Sequence, residues 1–147
     1  MRSFLLWARA KLSVDIKLIL TYALVYFLWG SVMNWVGQEL SIARFTYWWQ
    51  VITVYIIYMV PISLLLRGLP VHMQYAYGLI AMCLLEFSGY AFQTSYAYPG
   101  NLIDQYFTAR NFSLAMALFF AWYFPLGNWG VPKIYRILFG KEKLNPE

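Results

Sequence analysis

The sequence predicts an all-α integral membrane protein: an up-down bundle of four transmembrane helices, with a short interfacial helix between the third and the fourth. Three observations carry that expectation. Only 12% of the residues are charged and 62% are hydrophobic, whereas a water-soluble domain carries about a quarter charged residues. The apolar residues gather in long runs nearly free of charge, each close to the ~20 residues that a helix needs to cross ~30 Å of hydrocarbon. The basic residues then fall mostly on one side of the map those runs define.

Taken in order, residues 2–12 read as a short lead-in helix at the membrane surface. Its three charges do not share a face: Arg2 and Arg9 align, and Lys11 points nearly opposite. Ser13 or Asp15 then caps the first spanning helix. The spanning runs are Leu18 to Val36, Phe45 to Leu66, Met73 to Phe92 and Phe112 to Val131, and the whole chain, 1–147, forms one transmembrane domain. Strands are disfavoured for these runs, because lipid admits only helices or closed barrels and the alternation of ~10-residue barrel strands is absent. The apolar patch Phe4 to Trp7 is too short for a cleavable leader, and none is expected.

Two spanning helices carry breakers toward the same membrane face. Pro61 lies in the second, and Pro125, Gly127, Asn128 and Gly130 lie in the fourth, so both are expected to bend there. Ala117 and Ala121 have the small-xxx-small spacing that admits a close helix contact, within the chain or between subunits. Short connections at Gly37 to Arg44 and Arg67 to His72 favour antiparallel neighbours. The segment Gln93 to Asn111 is longer and aromatic. Pro99 and Gly100 mark a turn, Asn101 caps, and Leu102 to Ala109 reads as a helix whose Leu102, Ile103, Tyr106 and Phe107 share one face, as suits a helix lying on the membrane surface.

Orientation follows from charge. Arg2, Arg9, Lys11, Lys17, Arg67, Lys133, Arg136, Lys141 and Lys143 lie on one side and only Arg44 and Arg110 on the other, which places both termini in the cytoplasm of a plasma (inner) membrane. Trp35, Trp48 and Trp49 then sit near the outer interface, and Trp7 and Trp129 near the inner one. The net charge of +5 reads as topology and attraction to anionic lipid, not as nucleic-acid binding.

One residue stands out chemically. Glu86 is an ionisable group deep inside a span, where an acidic residue costs ~2.5 to 3.5 kcal/mol to insert. Three readings compete for it: a protonated hydrogen-bond donor to another helix, a binding site for a cation, proton or polar ligand group, or a contact with another subunit. As a ligand or proton site it would have Tyr90 and Gln93 on its own helix, Asn34 from the first and Gln50 from the second, in an aromatic pocket opening outward. Gly30, Ser31, Thr53 and Ala117 are expected at comparable depth.

Other chemistry is not expected. His72 is the single histidine and lies at a helix end, so a bis-His haem or His-based metal cluster within one chain is excluded. The lone Cys83 allows no intramolecular disulfide. No paired carboxylates, nucleophile with base, or phosphate loop are present, so neither catalysis by the chain alone nor a cofactor or metal is expected. The sequon at Asn111 lies too near the bilayer to serve. The expected role is a non-catalytic accessory or structural subunit of a larger membrane assembly, with the bilayer and a membrane-protein partner or a second copy as its contacts. The alternative is a small transporter or binder of a lipid-like or cationic ligand at Glu86.

Overall fold

A computed structural model describes residues 2–93 and 95–140, with the backbone alone for residues 95, 96, 109 and 110. Lys141, Lys143 and the Arg110 side chain, used above in the charge argument, lie outside the described residues. The elements are α1 (Arg2–Leu12), α2 (Ile16–Glu39), β1 (Ala43–Phe45), α3 (Trp49–Leu66), α4 (Val71–Phe92), β2 (Ser95–Ala97), α5 (Leu102–Phe120) and α6 (Tyr123–Phe139). Four stretches are long and apolar enough to cross a membrane: Ile16–Glu39, Trp49–Leu66, Val71–Phe92 and Asn111–Phe139. The second begins at Trp49 and not at the expected Phe45, because Ala43–Phe45 pairs with another segment. The fourth runs on to Phe139, well past the expected Val131.

Local chemistry sets the helix ends. The Asp15 carboxylate accepts the Lys17 N–H at 3.3 Å and opens α2. Asn101 does the same for α5, its Oδ1 accepting from Ile103 N at 2.9 Å and Asp104 N at 3.0 Å, which satisfies two of the amides a helix start leaves unpaired. At Thr108 the backbone leaves the helical region (φ 63, ψ 151), so the residues from Leu102 onward form their own short helix before the spanning part resumes.

The helices alternate in direction, as contacts at both ends show. At the end rich in Arg and Lys, Lys11 Nζ donates to the Arg67 carbonyl at 2.7 Å, and Tyr135 donates to Asp15 at 3.0 Å. At the opposite end, Ala43, Arg44 and Phe45 pair antiparallel with Ala97, Tyr96 and Ser95. That two-stranded ribbon joins the α2–α3 connection to the α4–α5 connection and supplies backbone partners for both.

Both proline-bearing helices are irregular, each disruption lying toward the helix N-terminus from its proline. Pro61 excludes the carbonyl four residues earlier from ordinary helical bonding, and the preceding stretch Ile52–Met59 is π-helical. Pro125 has no N–H for the Ala121 carbonyl, which takes the Phe124 N–H at 3.4 Å instead, and the chain turns at Ala121 and Trp122 between α5 and α6. Ala117 and Ala121 are both fully buried, so their close contact is made inside the chain.

The interior combines aliphatic side chains with buried tyrosines and small residues. On α2 the buried positions Leu18, Tyr22, Tyr26 and Gly30 recur every four residues, one stripe of a helix. A methyl group at Gly30 would lie 2.6 Å from the Tyr55 ring, and one at Gly127 would run into the Tyr26 hydroxyl. Two bulky rings are therefore seated against helix backbone, the kind of approach that small residues permit between membrane helices.

Candidate functional site

The inward stripe of α4 consists of Gln74, Gly78 and Met82, each buried, and a further step of four brings Glu86 onto the same face. There Glu86 is half-buried and lies within electrostatic range of Tyr55. Tyr55 belongs to the π-helical stretch of α3 and is itself buried. A π-helical turn changes which side chains face inward and is common at functional sites.

Around Tyr55 the rings form a continuous set. Tyr123 lies 6.3 Å away between centroids and Phe45 6.4 Å. Trp29 meets Tyr123 edge-on at 5.9 Å, and Phe120 meets it at 5.1 Å. These separations and tilts are the favourable ones for aromatic pairs.

Two polar groups of this region have no hydrogen bond of good geometry among the described residues. Among the described residues none makes a hydrogen bond to the Glu86 carboxyl. The Tyr123 hydroxyl is sealed from solvent and likewise has no hydrogen bond of good geometry, the indole of Trp29 being its neighbour. A buried polar group without a partner costs about 1–3 kcal/mol, and in this cluster the Tyr123 hydroxyl is such a group.

The other residues expected at this site take different positions. Asn34 is half-buried, and its Oδ1 accepts the Phe45 N–H at 3.1 Å, holding β1 to the end of α2. Gln50 is buried and its Oε1 accepts the Tyr47 N–H at 2.8 Å, closing the turn into α3. Tyr90 is 66% exposed, away from the bundle. Gln93 is exposed in the left-handed conformation (φ 53) that ends α4. Ser31 and Thr53 donate to their own helices, to Phe27 O at 2.9 Å and Trp49 O at 3.1 Å. Arg44 stacks over Tyr98 at 5.8 Å.

A second polar system, not anticipated from the sequence, lies nearer the basic end. Tyr22 donates to Asn128 Oδ1 at 2.6 Å, Asn128 Nδ2 donates to Gln74 Oε1 at 2.8 Å, and Gln74 Nε2 donates to the Leu69 carbonyl at 2.6 Å. One step deeper, Tyr26 shares a 2.6 Å hydrogen bond with Ser63 and donates to the Tyr123 carbonyl at 3.0 Å. Every group in these chains is partnered, and the result ties α2, α3, α4 and α6 together. The signal was present as the four-residue recurrence of Tyr22 and Tyr26 on α2, but choosing their partners required the helix arrangement.

No protein family model, curated protein or solved structure matches this chain.

Proposed function

We propose that the protein is a non-catalytic, multi-pass subunit of a larger membrane assembly, set in a plasma (inner) membrane with both termini in the cytoplasm. The carrying observation is the outward face of α4. Met73, Tyr77, Ile80, Leu84 and Phe87 are all exposed large side chains, and they recur at alternating steps of four and three. That is the seam by which one helix packs along another. Only 11% of the apolar window of α4 is buried inside the chain, against 44% for α3, so α4 has the most surface left for a neighbouring helix. The basic bias of one end supports the orientation.

Purification in a mild detergent tests this. A second integral membrane protein, or a second copy, is expected to co-purify and to be lost when Ile80 and Leu84 are both changed to Ala. A well-behaved monomer, unaltered by that pair of substitutions, would overturn the proposal.

A second reading is favoured by the Glu86 carboxyl, which has no hydrogen-bond partner among the described residues: a transporter or binder of a lipid-like or cationic ligand. Its site would use Glu86, with Asn34, Gln50, Tyr90 and Gln93 at its margin toward the ribbon.

A further inference from the structure

We infer that the basic end of the molecule carries a docking surface for the headgroups of anionic phospholipids, built from α1 and the last turns of α6. It goes beyond the subunit role and does not depend on Glu86. Three contacts gather the elements of that end. The Lys11 ammonium is held on the Arg67 carbonyl at 2.7 Å, Tyr135 donates to Asp15 at 3.0 Å, and Lys17 lies over the Phe139 ring at 5.6 Å. The end of α1, the α3–α4 turn and the end of α6 therefore meet around the start of α2. Among the described residues Asp15 is the one carboxylate at this end, and its oxygens already accept from Lys17 N–H and Tyr135. The charges of Arg9, Arg67, Lys133 and Arg136 find no further anion among the described residues.

On α6, Trp129, Lys133 and Arg136 follow at steps of four and three and share one exposed face. The Lys133 ammonium sits 3.4 Å over the Trp129 ring. Arg136 gives its Nε–H to the Pro132 carbonyl at 3.3 Å, which leaves its terminal N–H groups for a phosphate. An indole beside two cations suits the headgroup region. On α1 no residue is fully buried: Ala8 and Lys11 are half-buried, while Phe4, Leu5 and Leu6 are each more than half exposed between Arg2 and Arg9. The exposed apolar surface resumes at Ile16 and Leu20 of α2, so α1 adjoins the lipid-facing side of a spanning helix. These features select the partner. A soluble polyanion would pair with the cations and leave Leu5, Leu6 and Ile137 in water. A neutral bilayer would cover the apolar side chains and leave the cations without counterions. Anionic headgroups above acyl chains satisfy both.

Native mass spectrometry of the intact chain in mild detergent, with phosphatidylglycerol and phosphatidylcholine of the same acyl chains as probes, tests this. Phosphatidylglycerol is expected to bind at least about fivefold more tightly, and Lys133→Gln with Arg136→Gln should remove most of that preference, each cation near anionic headgroups being worth about fivefold in affinity. Arg9→Gln should lower the preference by one such step, and it keeps the test decisive if the double variant misfolds. Arg44→Gln, at the ribbon end, should leave it unchanged. Equal retention of the two lipids by the wild type would overturn the inference, as would a preference unaltered by the α6 pair and by Arg9→Gln. Equally tight binding of glycerol 3-phosphate, which carries the phosphate without acyl chains, would identify a free-phosphate site and overturn the lipid assignment.

Discussion

At the scale of single residues, this protein handles polar groups in an apolar interior in two ways. Tyr22, Asn128 and Gln74 hand hydrogen bonds from one to the next and end on a backbone carbonyl, so none is left short. Asn128 is the middle member and serves as acceptor and donor at once. Asn128→Ala should therefore strand both Tyr22 and Gln74 and lower stability by roughly 2–4 kcal/mol, whereas Tyr22→Phe, which removes only one bond, should cost about 1 kcal/mol. Thermal unfolding of the two variants in one detergent checks the order. Glu86 and Tyr123 show the opposite arrangement, with no hydrogen bond of good geometry among the described residues. The carboxyl was legible in the sequence, because a charge inside an apolar run is conspicuous. The ring cluster was not: Tyr55 and Tyr123 are ordinary aromatics until α3 and α6 bring their rings within 6.3 Å.

At the scale of elements, proline and glycine explain most departures from four straight helices. Pro61 and Pro125 were readable as breakers, since the missing N–H and the ring clash are local properties. The form each disruption took was not readable. One became a π-helical stretch ahead of Pro61, and the other a two-residue turn ahead of Pro125, because neighbouring helices decide how a freed carbonyl is satisfied. Gly127 shows the same dependence between elements. A side chain there collides with the Tyr26 hydroxyl, which is itself held by Ser63 and the Tyr123 carbonyl. Gly127→Ala is expected to destabilise the α2–α6 contact by about 1–3 kcal/mol, as overpacking does. Adding Tyr26→Phe should recover part of that loss by removing the oxygen. A non-additive double-mutant cycle in thermal unfolding is the expected result. The short ribbon was missed for a related reason, since three-residue strands carry too little alternation to be seen without their partner.

At the scale of the whole molecule, the two ends differ in construction. One end carries Arg2, Arg9, Lys11, Lys17, Arg67, Lys133 and Arg136 and is closed by the Lys11 to Arg67 and Tyr135 to Asp15 hydrogen bonds. The other is closed by the β1–β2 ribbon and displays exposed Trp35, Tyr47, Trp48, Tyr90, Phe92 and Tyr106. Aromatic residues in such numbers favour the headgroup region. The proposed orientation makes a direct prediction. In a Cys83→Ser background, Ser41→Cys should react with a membrane-impermeant maleimide in intact cells and Ser13→Cys only after permeabilisation. The reverse pattern would invert the topology.

Read alone, the sequence determined the four apolar helices, their approximate limits, the Asn101 cap and the isolated charge at Glu86, and it left the first cap between Ser13 and Asp15, of which the structure uses Asp15. Each follows from local composition and spacing, which act through a solvent that tolerates little else. Tertiary structure alone decided which groups share an environment: Tyr22 with Asn128, Tyr26 with Ser63, and Tyr55 with Tyr123. Helix rotation and the π-helical and turn irregularities choose those partners. Both are settled by side-chain packing between segments far apart in the chain, which no single run of residues encodes.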